Sequence, residues 1–258
     1  MGLGTISFMT LCQGFANYGM SAILIYYLYA DMAAGGLGFS QANAAQFISL
    51  YSTLSFLCGI LGSYMADRFI GIRKAIRIGF FIKTLGYVLL VVPTGGIPLY
   101  LGSQFLLLMS GAAMGNSLDA LTGKLYEKGD TRRDSGYSIL YIMNNVGAIA
   151  PVITGTIAQI LGYHIGFLFA AILQALGFLI YLLTEKKLYG NVGTEPDDQV
   201  SQEEKRKLIF KLVSGLGILV LLILTLFYTG IFTPTSFANT VSTIAIFIPI
   251  VYLVYIGK

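Results

Sequence analysis

Eight apolar runs, each close to the length needed to cross a bilayer, alternate along the chain with short polar loops. They cover roughly 5–30, 43–66, 76–94, 98–123, 137–161, 164–184, 208–229 and 238–256. A spanning helix needs about 20 mostly apolar residues, and each run predicts one. The first starts within a few residues of Met1 and is too long for the core of a signal peptide, so it is expected to be a true span. One longer polar stretch, 188–206, mixes Gly, Pro and charges of both signs, the composition of a solvated linker. The expected architecture is therefore an all-α, polytopic membrane protein. It has a six-helix bundle over 1–187, a linker over 188–206 and a two-helix transmembrane hairpin over 207–258.

Charge placement orients these spans. Basic residues cluster between spans two and three (Arg68, Arg73, Lys74, Arg77), four and five (Lys124, Lys128, Arg132, Arg133), and six and seven (Lys186 to Lys211), with Lys258 after the eighth. The alternate loops, 31–42, 95–97, 162–163 and 230–237, contain no Lys or Arg. Of 16 basic residues, 15 fall on one side of the membrane, at or near the span ends, and one, Lys83, falls well within a span. Basic residues are retained on the cytoplasmic side, so both termini are expected in the cytoplasm, in a bacterial plasma membrane. The alternation supports the helix count independently of hydropathy.

Composition sharpens this reading. The chain is 56% hydrophobic and 11% charged, with a mean hydropathy of +0.77, whereas soluble domains carry about 25% charged residues. Its 31 glycines suit helices that approach closely in lipid. The net charge of +4 resides in the cytoplasmic loops, so membrane lipid is the expected partner and nucleic acid is not. Cys12 and Cys58 lie in apolar runs and read as small buried hydrophobes. No Ser/His/Asp cluster, His-rich metal spacing or phosphate loop is present, so neither an enzyme nor a cofactor is expected. No filter sequence points to a channel.

Several segments carry a family resemblance. GSYMADRFIGIRKAIRIG, from Gly62, places Asp67-Arg68 and Gly71 in the short loop after span two. GKLYEKGDTRRDSGYSILY runs from Gly123 to Tyr141, and NNVGAIAP from Asn144 to Pro151. NYGMSAILIYYLYA, Asn17 to Ala30, and GYHIGF, Gly162 to Phe167, add further matches. Together these resemble the proton-dependent oligopeptide transporter (POT/PTR) family of the major facilitator superfamily. The first segment resembles the superfamily's cytoplasmic gate motif, with Gly62, Asp67, Arg68 and Gly71 as its members. The resemblance covers about 5–185 and implies a six-helix half-bundle. The hairpin resembles the two extra helices of bacterial members, and the family's second half would begin where the chain ends. Family function implies proton-coupled symport of di- and tripeptides.

The departures from the family fall on its cavity. Members carry Glu-x-x-Glu-Arg in span one, followed by Phe and Tyr-Tyr-Gly-Met-Arg. Here the matching positions are Thr10, Gln13 and Gly14, then Phe15, Asn17, Tyr18, Gly19, Met20 and Ser21. The family's span-four Lys is Gly115, followed by Asn116-Ser117, and a span-two cavity tyrosine is Phe56. By the resemblance, Tyr18, Asn17, Asn145, Asn116 and Phe56 are the candidate substrate-contacting residues. Proton coupling needs a buried carboxylate whose protonation competes with a basic partner, and span one has neither group.

Asp119 and Lys83 are the ionisable acid and base placed in the hydrocarbon, hence candidate coupling groups. Asp119 lies one turn from Gly115 on the same helix face, which would displace the coupling acid to span four. The alternative is that Asp119 caps or pairs near the cytoplasmic end while Lys83 snorkels towards the cytoplasm. Gly111-x-x-x-Gly115 reads as a close-packing motif or a cavity border. His164, the single histidine, reads as a capping or interfacial residue or as a pH sensor.

A six-helix half supplies one wall of an alternating-access transporter. The expectation is a half-transporter for small peptides or a related small molecule, inactive alone and completed by a second half, a homodimer or further sequence. The competing expectation is a membrane scaffold or regulatory subunit that keeps the fold without the coupling site.

Overall fold

The computed structural model describes residues 2–127, 129–196, 201, 203, 204 and 207. The hairpin expected over 207–258 lies outside the described residues except for Lys207. Eight α-helices build the described part: α1 (Gly2–Tyr29), α2 (Gln41–Met65), α3 (Ile72–Val91), α4 (Gly96–Met114), α5 (Ser117–Gly123), α6 (Arg132–Val146), α7 (Ala150–Leu161) and α8 (Tyr163–Tyr189). They form six rods that match the first six expected spans. Four rods are long and apolar enough to cross a membrane: Gln41–Ile70, Gly96–Gly123, Arg132–Leu161 and Tyr163–Tyr189. The other two are α1, 28 residues long and interrupted by Gly, Ser, Thr, Asn and Gln, and α3, which carries Arg73, Lys74, Arg77 and Lys83. At 1.5 Å per residue α1 is about 42 Å long, and it packs against α6, α7 and α8, with further contact to α2. Protein neighbours in place of lipid let it carry that polar content.

Around the bundle α2 packs on α4, α4 on α3, α3 on α8, α8 on α1, and α1 on α6 and α7. Two apolar clusters fill the interior. One, at the end that carries the basic loops, joins Ile6, Met9, Ile76, Phe80, Leu121 and Tyr181. The other, at the far end, joins Met20, Tyr27, Leu28, Tyr87, Tyr100 and Phe167. Several helices run past the apolar limits into charged sequence, as α6 does from Arg132 and α8 to Tyr189. The interface tolerates charge and the helix hydrogen bonds continue there, so hydropathy underestimates helix length.

Span four is not the single helix expected over 98–123. It breaks at Gly115, with φ 50° and ψ −133°, and restarts at Ser117. The cause is the crossing with α2. A Cβ on Gly62 would stand 2.1 Å from Gly111 O, and one on Gly115 would stand 2.1 Å from Ser63 N. The Ser63 hydroxyl accepts the Asn116 N–H at 3.0 Å, satisfying a donor freed by the break. The Gly111/Gly115 pair is thus a packing motif. Span five is also interrupted, by a 3-10 turn at Gly147–Ile149 ahead of α7. Pro151 lacks the N–H that a continuous helix would use there.

At the end that carries the basic loops α2 finishes in a π-helical turn, Ala66–Ile70, and Gly71 at φ 84° redirects the chain into α3. Glu185 of α8 lies 3.7 Å from Arg73 Nε and 3.5 Å from Arg77 Nε. These are ion contacts slightly longer than hydrogen bonds. Arg73 also donates through Nη1 to Gly190 O, and its backbone N–H bonds Gly193 O at 2.9 Å. The start of the expected linker, 190–196, therefore lies against the bundle.

Candidate functional site

A cavity of about 470 Å³ opens where α1, the α4–α5 break and α6 converge. Thr10 and Gln13 come from α1, Gly115, Asn116 and Asp119 from the broken span, and Tyr137, Tyr141 and Asn144 from α6. The break generates much of this geometry. It ends α4 at Met114, exposes Asn116, and restarts the helix so that Asp119 in its first turn also reaches the cavity.

Close approach of α1 and α6 closes one side. A Cβ on Gly14 would stand 2.8 Å from Asn144 O and 2.9 Å from Asn144 Oδ1. On the other helix, a Cβ on Gly147 would stand 2.5 Å from Phe15 N. Asn144 donates through Nδ2 to the Tyr18 hydroxyl at 3.2 Å, tying α6 to α1. Gln13 Oε1 is buried without a hydrogen-bond partner.

The candidate residues separate on this geometry. Asn116 and Asp119 line the cavity, with Thr10 and Gln13. Tyr18 stands behind the lining, bonded to Asn144. Asn145 is exposed outside the lining, its amide returned to Tyr141 O at 2.8 Å. Asn144 occupies the place anticipated for Asn145, because adjacent helical residues lie about 100° apart. Asn17 is exposed outside the lining, and Phe56 is 53% exposed on α2.

Among the described residues neither Asp119 nor Lys83 has an ion-pair partner. Lys83 lies on α3 outside the lining, and the two do not meet. Gly62 and Gly71 hold the α2 crossing and the turn into α3, while Arg68 lies over the Tyr64 ring at 5.2 Å. Asp67 sits in the π-helical turn. His164 Nδ1 contacts Leu90 O at 2.8 Å, joining α8 to the end of α3. That is the interfacial role. Cys12 and Cys58 are free thiols.

Sequence reasoning missed Asn144, Tyr137 and Tyr141 in the lining and Glu185 in the clamp with Arg73 and Arg77. The first three were findable, since spacings of four and three place them on one helix face. Glu185 gave no signal of its own, because its partners lie on α3.

Comparison with known proteins follows this geometry. Residues 6–257 match the model of the Major Facilitator Superfamily. The uncharacterized transporter YclF of Bacillus subtilis (strain 168) is 34% identical over 256 residues, covering 98% of this chain and 51% of that protein. A di-/tripeptide transporter of Lactococcus lactis subsp. cremoris is 34% identical over 260 residues, covering 98% and 52%. The crystal structure of a peptide transporter POT in complex with sulfate superposes with a TM-score of 0.87 at 34% identity, covering 98% of this chain and 51% of that one. The chain spans about half the length of the relatives it matches.

Proposed function

The chain belongs to the major facilitator superfamily, in its proton-dependent oligopeptide transporter branch and corresponding to the N-terminal half, and from that premise we propose that it forms one wall of a pathway moving short peptides, or a related small molecule, across a bacterial plasma membrane. The observation that carries this reading is the break of span four at Gly115–Asn116, opening onto the polar cavity. Irregular backbone at membrane depth is tolerated where it lines a cavity or is buried in protein, and discontinuous helices commonly form transporter binding sites. Asn116, Asp119, Gln13 and Asn144 converge at one such break. Left facing lipid, they would each cost several kcal/mol.

A second wall completes the pathway. Alternating access rocks one six-helix body against another around a central site. The second body comes from another copy of the chain, a separate polypeptide or further sequence. Both termini of the chain face the cytoplasm, as the basic loops require. Asp119 is the exchangeable carboxylate of this wall, since span one has Thr10 and Gln13 where the family has acids.

The scaffold reading is favoured by one observation. Gly14 lies so close to Asn144 that the arginine of the family pattern has no room there without moving α6. Binding and uptake separate the two readings. The purified chain should bind a labelled dipeptide saturably, Asn144→Ala and Asn116→Ala should weaken that binding, and proteoliposomes holding the chain alone should show no gradient-driven uptake. Folded protein that binds no dipeptide at millimolar concentration leaves the scaffold reading standing.

A further inference from the structure

Among the described residues the cavity is lined by one charged side chain, and it is an acid. Asp119 lines it, and no Lys, Arg or His does. Among the described residues Asp119 has no ion-pair partner. Arg133 lies over the Tyr137 ring with its guanidinium carbon 5.7 Å from the centroid and stays outside the lining. Lys83 faces elsewhere on α3.

The neutral groups add acceptors beside Asp119, together with the amides of Asn116 and Asn144 and the hydroxyls of Tyr137 and Tyr141, which can also donate. Gln13 Oε1 is buried and unpartnered, and an orphan acceptor is satisfied only by a donor. Thr10, by contrast, already spends its hydroxyl proton on Ile6 O at 2.9 Å, which leaves the oxygen lone pairs to accept. Asn144 spends an amide hydrogen on Tyr18, and its Oδ1 remains an acceptor. Tyr141, 72% exposed, also lines the cavity, and aromatic rings attract cations. Acceptors, one carboxylate and an aromatic ring make an environment for an ammonium group. A carboxylate placed here would meet Asp119 with no cation to offset the repulsion.

We infer that this wall binds the cationic, amine-bearing end of its solute and discriminates against free carboxylates, so that molecules with an ammonium group and a neutral remainder are preferred. The unpaired Asp119 carboxylate, the one charged side chain on the lining among the described residues, sets that polarity. The inference rests on the cavity being a solute-binding wall and deepens that reading by naming the chemical class recognised.

Isothermal titration of the purified chain with three probes of one size tests it. Dialanine amide is a cation, dialanine a zwitterion and N-acetyl-dialanine an anion. The amide should bind about tenfold or more tighter than the acetylated compound, as expected when one partner of a close charge pair is removed. Asp119→Asn should erase that gap, and Gln13→Glu, which adds a second carboxylate, should widen it. Equal or tighter binding of the anion overturns the inference and leaves the wall reading intact, as does a gap that persists in Asp119→Asn. If folded wild-type chain binds none of the three, the wall reading fails and the inference with it. Should Asp119→Asn fail to fold, Gln13→Glu decides, and an unchanged gap there overturns the inference.

Discussion

Adding one methyl group at Gly62 should loosen the bundle more than its size suggests. A Cβ there would lie 2.1 Å from Gly111 O, 2.5 Å from Gly115 N and 3.0 Å from Gly115 Cα. All three are backbone atoms, so no side chain can rotate aside. Ordinary carbon–oxygen contacts begin at about 3.3 Å, so α2 and α4 must part by about 1 Å. That displacement stretches the Asn116 N–H bond to Ser63 Oγ, now 3.0 Å, past useful length. Overpacking costs about 1–3 kcal/mol and the lost hydrogen bond about 1 kcal/mol, for a total of about 2–4 kcal/mol.

Gly59→Ala is the matched control. It lies one turn earlier on α2, nothing lies within 4 Å of its added Cβ, and alanine gains up to about 1 kcal/mol of helix propensity over glycine. Thermal unfolding in detergent, followed by a thiol-reactive dye on the free thiols Cys12 and Cys58, reads both variants. Cys58 is suited to the task, because its Cβ lies 3.6 Å from where a Cβ on Gly111 would stand. Gly62→Ala should unfold about 5–10 °C lower, using about 2–4 °C per kcal/mol for a chain of this size, and Gly59→Ala at or above the parent. Equal midpoints for the two would refute the claim that backbone contact at this crossing positions the break in span four.

Other expectations follow from particular contacts. Glu185→Ala leaves Arg73, 3% exposed, without its acid and should cost about 3 kcal/mol, read in the same melt; a midpoint unchanged from the parent would show that the clamp carries no stability. Tyr18→Phe removes the acceptor of Asn144 Nδ2 and should cost about 1 kcal/mol, with a larger effect on dipeptide binding than on melting; the opposite ordering would make the bond merely structural. Asp130 in the loop before α6 accepts from Arg132 Nε and Nη2 and from its backbone N–H, which holds its carboxyl below the ordinary value. A depressed folded-state pKa means that the ordering of this loop is fully present above the usual carboxylate range and is lost as pH falls through the lowered value. Protection factors over 129–134, with exchange normalised to the intrinsic rate at each pH, should therefore fall at acid pH, and Asp130→Asn should remove that pH dependence; a variant that keeps it would place the titrating group elsewhere.

Much of this protein is written in one dimension. Apolar run length and the alternation of basic loops require only local composition and the physics of the bilayer, so the six rods and their order are legible before any contact is known. That Thr10, Gln13 and Gly14 carry no charge is equally visible, since it is a matter of residue identity. The tertiary structure decided what depends on two rods meeting. The break at Gly115 is set by Gly62 on another helix, and the choice of Asn144 over Asn145 by a rotation of about 100° relative to α1. The pairing of Glu185 with Arg73 and Arg77 joins residues distant in sequence. Hydropathy reports a helix's affinity for lipid but carries no information about which neighbour it touches or at what angle. The cavity is made of those angles, which is why Thr10, Gln13, Asn116 and Asp119 could be singled out from the sequence while the shape that joins them to Tyr137, Tyr141 and Asn144 could not.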